Sequence, residues 1–299
     1  MVALSPTDLR AAAAWQLGDI HAITPIPVGA LNRSFVIDAA SGRYVLRGYR
    51  YTERSPIEHE HDLIAFAHQR GVPTLMPVAL PSGETLAVCD GLFYALFPFA
   101  SGEQRVRGML GAADAAAMGR CVGKIHQALR DFPHDRARQL KLQVSNAATT
   151  AMMDCIQQAI NIHATGGDDE ANTIEIMQGM RAYIERTPPP DQSIDTLPHQ
   201  MLHGDYHERN IFFDQGEVSA VIDWEQALFA PRGWELLRTL VFVWDLALAE
   251  SVAFLEAYQQ VYPLPLTELD LAARWFAWSR GHNLWVYQAV YLEGNQRAR

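Results

Sequence analysis

The sequence predicts an α+β fold with two lobes, and three observations predict it. The first hundred residues hold short β-branched and aromatic runs separated by Gly-containing turns and broken by one helical stretch. Beyond residue 100, apolar residues recur at about 3.6-residue spacing over long segments. Between the helical segments lies one hairpin with carboxylates and an amide clustered at its ends. A chain of 299 residues, 49% hydrophobic, suffices for two domains or one bilobal unit. We expect a small antiparallel-sheet lobe over 1–100 and a mainly helical lobe over 101–299.

The elements follow in order. Ser5-Pro6-Thr7-Asp8 sets an N-cap serine, a first-turn proline and an acid, so a helix starts there and runs to near Gly18. Residues 23–28 are extended, and Pro25 and Pro27 suit an edge strand. A loop over 29–36 joins this strand to the next, 34–38. After the Ser41-Gly42 turn, a strand over 43–49 places Val45, Arg47 and Tyr49 on one face. Ser55-Pro56-Ile57-Glu58 repeats the helix-start signal, and Leu63, Ile64 and Phe66 carry that helix to Gly71.

Residues 74–80, 85–89 and 92–97 read as strands, with turns at Ser82-Gly83 and Asp90-Gly91. A helix is expected over 112–129, where His126 reads as a packed core histidine. Two more follow over 144–162 and 174–184, separated by a solvated loop at 166–170. Residues 241–258 form a further helix. The stretch 267–292 is amphipathic and rich in Trp and Tyr, and Arg280-Gly281-His282-Asn283 interrupts it. Its aromatic stripe reads as core, and an aromatic cage for a quaternary ammonium is the rival reading. The interruption is either an acceptor contact or an inter-helix turn.

The chemistry sits at the hairpin. His203-Gly204-Asp205-Tyr206-His207-Glu208-Arg209-Asn210 enters it, Gln215-Gly216 turns it, and Val221-Ile222-Asp223-Trp224-Glu225 leaves it. Phosphoryl transfer needs a carboxylate to orient an acceptor hydroxyl and oxygen ligands to hold Mg²⁺ on the nucleotide phosphates. Asp205, Asn210 and Asp223 supply these groups at a suitable spacing, and Mg²⁺ needs few protein ligands.

The His-Gly-Asp-x-His-x-x-Asn and Ile-Asp-Trp-Glu motifs resemble the aminoglycoside phosphotransferase and choline kinase superfamily, which shares the protein-kinase-like fold. Gly204 stands where protein kinases carry Arg. The Val45-Leu46-Arg47 strand and the Trp-rich C-terminus are most similar to the type II homoserine kinase and stress-response kinase branch. The resemblance implies ATP and Mg²⁺ as cofactors, Asp205 as catalytic base, and Asn210 and Asp223 as metal ligands. It places Gly29, Asn32, Ser34 and Val36 at the phosphate-covering loop. It makes Arg47 the phosphate-gripping cation with Val45 against the adenine, and Glu60 the partner of Arg47, with Glu58 as the alternate. Phe97 to Phe99 would form the hinge at the adenine edge. Glu235 stands where relatives carry Asp, so it either braces the catalytic loop or caps its own helix.

A small-molecule hydroxyl acceptor is implied, homoserine-, choline- or aminoglycoside-like. A carboxylate-bearing acceptor needs a cation such as Arg232 or Arg280; a cationic one needs Glu225, Glu235 or aromatics. Two other classes compete. A nucleotide-binding pseudokinase acting as a partner module has no use for Asp205. A zinc hydrolase on His203, Asp205 and His207 leaves Asn210 and Asp223 without roles. In the kinase reading His203 and His207 support the loop by hydrogen bonds.

Net charge is −10 and the pI about 5.5, which argues against nucleic acid as partner. Cys89, Cys121 and Cys155 show no metal or redox spacing, and no membrane-spanning run or signal peptide is seen, so a cytoplasmic location is expected.

Overall fold

The computed structural model describes residues 4–26, 32–142, 145–163 and 168–295. The chain forms two units: 1–139 with 199–264, and 140–198 with 265–299.

The first unit begins with helix α1 (Pro6–Ala13), whose Ser5 and Asp8 form a reciprocal capping box. Strands β1 (Ile20–Pro25), β2 (Arg33–Ala39) and β3 (Gly42–Gly48) follow, then helix α2 (Ser55–His68), β4 (Ala87–Cys89) and β5 (Leu92–Pro98). The strands form one antiparallel sheet in the order β1-β2-β3-β5-β4. Ala11, Ala12 and Trp15 pack with Phe35, Ile37, Leu46 and Leu96 as its core. Register is fixed by alternation: Phe35, Ile37 and Leu46 are fully buried, while Val36 and Val45 pair on the opposite, half-buried face.

The strand expected over 74–80 does not form. Pro77 removes a donor from its middle, and the segment makes isolated bonds instead: Val78 N–H to the Leu96 carbonyl (2.7 Å) and Leu80 N–H to the Glu84 carbonyl (2.7 Å).

Helix α3 (Ala112–Leu129) lies against α7 (Leu248–Val261) so closely that a Cβ at Gly119 would fall on the Phe254 carbonyl. The helix expected over 241–258 is two helices, α6 (Arg232–Trp244) and α7. Asp245 and Leu246 both adopt positive φ, 50° and 62°, which ends the first before the second begins. Two short strands, unexpected from sequence, pair antiparallel: β6 (His199–Leu202) and β9 (Leu228–Pro231). The expected hairpin is β7 (Ile211–Asp214) and β8 (Glu217–Val221).

The second unit contains α4 (Asn146–His163), α5 (Asp168–Arg186), α8 (Leu266–Arg280) and α9 (Trp285–Tyr291). Its core joins Met153, Ile156, Ile160, Met177, Ile184 and Leu284. The interruption at 280–283 is a turn, where Gly281 packs against Tyr183 too tightly for a Cβ. Trp278 and Phe276 are buried, and the Trp275 indole N–H donates to the Gln192 carbonyl (2.8 Å). These rings are core and turn supports, as an aromatic helical stripe usually is. Among the described residues, no helix is long and apolar enough to cross a membrane.

Candidate active site

Strand β6 delivers the chain to Gly204, where φ is 84° and a Cβ would land on the Gln226 carbonyl. Only glycine serves there, and the sharp turn sets Asp205 at the mouth of β6. The loop is then tied on all sides. His203 is fully buried; its Nδ1 accepts the Asp205 N–H (3.2 Å), so its Nε2–H donates to the Ile222 carbonyl (2.9 Å). The Tyr206 hydroxyl donates to the Met118 carbonyl (3.0 Å), and Thr239 donates to the Tyr206 carbonyl (2.7 Å).

Glu235 braces this loop from beneath. It accepts the backbone N–H of Gly204 and of His203 (3.3 Å), and meets His126 Nε2 at 2.8 Å. His126 Nδ1 in turn meets the Tyr258 hydroxyl (3.0 Å). Burial raises the Glu235 pKa, but His126, His203 and the Gly204 N–H outweigh it and hold the carboxyl below its ordinary value. Glu235 is buried with both oxygens engaged, so it does not face an acceptor. Arg232 is likewise engaged, with the Tyr258 hydroxyl and the Tyr262 and Pro263 carbonyls.

Asp205 and Asn210 come together. Asn210 Nδ2 donates to the Asp205 carbonyl (2.9 Å) and to Asp205 Oδ2 (3.2 Å). His207 Nδ1 accepts the Arg209 N–H, so its Nε2–H donates to the same Oδ2 (3.2 Å). Both His203 nitrogens are thus occupied. Among the described residues no trio of His, Cys, Asp or Glu is placed to hold a metal, and a zinc site on His203, Asp205 and His207 is not formed.

The Ile222 N–H donates to the Asn210 carbonyl (2.9 Å), so the hairpin binds the loop to the segment that carries Asp223. Asp223 is left-handed, φ 65° and ψ 62°, a conformation Asp tolerates, and its side chain is 40% exposed. With its amide nitrogen engaged, Asn210 offers Oδ1; Asp223 offers carboxylate oxygen. This all-oxygen pair fits a hard cation such as Mg²⁺.

Arg47 is the hub opposite. It lies 3.1 Å from Glu60, 2.7 Å from Asp223 and 2.9 Å from Glu225. Burial disfavours its charge, but Glu60, Asp223 and Glu225 more than offset this and raise its pKa. Glu58 instead pairs with Arg54 one turn back (2.7 Å), so the partner from α2 is Glu60. Burial pushes the Glu60 carboxyl up to about 7, with Glu225 and Asp223 acting in the same direction against Arg47.

Gly29 falls outside the described residues. Asn32 is tied to Glu225 through Nδ2 and accepts the Arg50 N–H (3.2 Å). Ser34 sits opposite Arg47 in the β2–β3 pair, and Val36 opposite Val45, which also faces Phe97 on β5. The Phe99 N–H donates to the Arg43 carbonyl (3.1 Å) and Pro98 has none, so the predicted hinge has these donors engaged or missing.

A sequence model of the phosphotransferase enzyme family matches residues 22–275. The chain belongs to that family. A homoserine kinase of Rhodopseudomonas palustris is 26% identical over 272 residues, covering 87% of this chain and 77% of its own. One from Methylobacillus flagellatus is 26% identical over 293 residues, covering 93% and 85%. Two solved structures share the fold. An amicoumacin kinase, hAmiN, has a TM-score of 0.70 at 16% identity, covering 97% of this chain and 90% of its own. An aminoglycoside phosphotransferase from Alicyclobacillus acidocaldarius has 0.68 at 16%, covering 100% and 91%. This family member is accordingly a small-molecule phosphotransferase with the bilobal kinase-like α+β fold.

Sequence reasoning missed Arg238. It lies on α6 one turn past Glu235, with Nη2 2.7 Å from Asp205 Oδ1 and its guanidinium 4.7 Å above the Phe242 ring. The signal was available: residues at i, i+3 and i+4 share a helix face, so Glu235, Arg238 and Thr239 all address the loop. Burial opposes ionisation of Asp205, but His207 and then Arg238 hold its carboxyl far below the usual carboxylate range. Arg138, also unremarked, feels Arg238 and Asp205 and has its pKa lowered, first by desolvation and then by Arg238. Its guanidinium donates to the Gln226 carbonyl.

Proposed function

We propose that this phosphotransferase moves the γ-phosphoryl group of ATP, with Mg²⁺, to a hydroxyl of a small molecule, and that homoserine-like alcohols head the acceptor list. The observation that carries the reading is the gathering of Asp205, Asn210 and Asp223 at one hairpin, facing Arg47 held by Glu60. The relatives named homoserine kinase support the choice of acceptor. A lobe boundary near residue 100 belongs to the same reading.

In this mechanism Asp205 orients the acceptor hydroxyl and takes its proton as the oxygen bonds to the γ-phosphorus. The bond to the bridging oxygen breaks, leaving ADP, and the proton passes to solvent. Arg47 grips the nucleotide phosphates, and Glu60 fixes its direction. Asn210 and Asp223 would hold Mg²⁺, which when bound neutralises charge on the phosphate oxygens. His207 and Glu235 keep the loop rigid, so most of the rate gain comes from positioning and preorganised charge.

The test is ADP formation with Mg²⁺ against homoserine, choline, ethanolamine and an aminoglycoside, with Asp205→Asn alongside. Turnover with one acceptor, lost in the variant, supports the reading and names the acceptor. MgATP binding without turnover favours a pseudokinase, and absence of MgATP binding overturns the proposal.

A further inference from the structure

We propose that Arg238 is an acceptor-reading latch: it holds Asp205 while the site is empty and leaves it for a carboxylate carried by the acceptor. This rests on the phosphotransferase reading above and adds the residue that selects the acceptor.

Both oxygens of the proposed base are engaged. Oδ2 takes His207 and Asn210 at 3.2 Å each, and Oδ1 takes Arg238 at 2.7 Å. A hydroxyl that donates along the Oδ1 lone pair now held by Arg238 must displace the guanidinium. His207 and Asn210 belong to the loop and are anchored by its backbone bonds to Arg209 and Ile222. Arg238 reaches in from a separate element on a long, flexible side chain, so it is the partner able to move.

The guanidinium also has unused capacity. Its Nη1 is buried and has no hydrogen-bond partner among the described residues. A buried N–H without an acceptor is unfavourable, and a planar fork with a free edge suits a carboxylate, which can accept two parallel bonds. Arg138 adds a second positive charge within electrostatic reach of Arg238 and Asp205. A polycationic acceptor would meet two guanidiniums before the base, whereas a hydroxy acid would be drawn in by both. Arg232, one of the two cations expected from sequence beside Arg280, is held elsewhere by Tyr258, Tyr262 and Pro263, whereas Arg238 stands on Asp205 itself.

The experiment compares matched acceptors that differ only in a carboxylate: hydroxy acids, L-homoserine among them, each against its primary amide, scored by MgATP consumption. Parent enzyme, Arg238→Gln, Arg238→Lys and Arg138→Gln are assayed, and MgATP affinity is measured by calorimetry for each as a check on folding. The carboxylate member should be preferred about tenfold or more in kcat/KM, mostly through KM. Arg238→Gln should abolish that preference while still binding MgATP, Arg238→Lys should restore part of it, and Arg138→Gln should weaken it. Equal use of acid and amide, better use of choline or an aminoglycoside, or an Arg238→Gln enzyme that keeps the preference would each overturn the latch. So would a parent that binds MgATP and turns over none of the pairs. A parent that fails to bind MgATP removes the phosphotransferase reading itself, and the latch falls with it.

Discussion

Glu235 and Gly204 meet beneath the 203–210 loop: the carboxylate accepts the glycine N–H, with His126 on its other side. This one contact joins helix α6 to the turn that aims Asp205. Glu235→Ala would leave two backbone N–H groups and a histidine without their acceptor. We expect a loss of about 1–3 kcal/mol in stability, read by thermal unfolding.

The same contact has a pH signature. Glu235 is held below its ordinary value of 4.5, so it binds protons less readily folded than unfolded. Its contribution is present above pH 4.5 and is lost as pH falls through the depressed folded value. Acid unfolding of Glu235→Gln should lack that component. An unchanged acid limb in the variant would remove Glu235 as the acid-sensitive brace.

Glu60 has the opposite sign. Its carboxyl is raised to about 7 from 4.5, so the folded state binds the proton more tightly. Its contribution is present below pH 4.5 and declines as pH rises through about 7. Among the described residues its Oε2 is buried without a hydrogen-bond partner, and the group sits in a cluster of three carboxylates around Arg47. Urea midpoints from pH 5 to 8 should fall in the parent and stay flatter in Glu60→Gln.

Asp205→Asn keeps the side-chain shape and removes the proton acceptor. A fall in kcat on the order of 10²–10⁴-fold is expected, with MgATP affinity close to the parent's. Single-turnover kinetics and calorimetry separate the two; a variant with parental kcat would exclude Asp205 as base.

Asp223→Ala should abolish Mg²⁺-dependent nucleotide binding and release one of the three carboxylates on Arg47. Titration of the variant with ATP, with and without Mg²⁺, checks this. Tight Mg²⁺-dependent binding would show that Asp223 is not a metal ligand.

What the sequence determined by itself is local. Hairpin β7–β8, the helix over 112–129 and the position of Glu60 on α2 followed from turn residues, apolar period and capping signals within a few residues of each other. The spacing of Asp205, Asn210 and Asp223 announced phosphoryl-transfer chemistry because one loop and one hairpin carry all three. Tertiary structure decided what depends on partners far along the chain. Among the described residues strand β6 pairs with β9 alone, so neither was legible without the other. The 74–80 segment had strand residues but a proline where a ladder needs a donor. The family resemblance offered Glu60 or Glu58 as the partner of Arg47 and the fold chose Glu60, while the grip of Arg47 on Asp223 and Glu225 spans some 176 and 178 residues. Arg232 and Arg238 are equal as letters in the sequence. Folding turns the first toward Tyr258 and sets the second on Asp205, because a helix face is assigned to its neighbours only when the packing is complete.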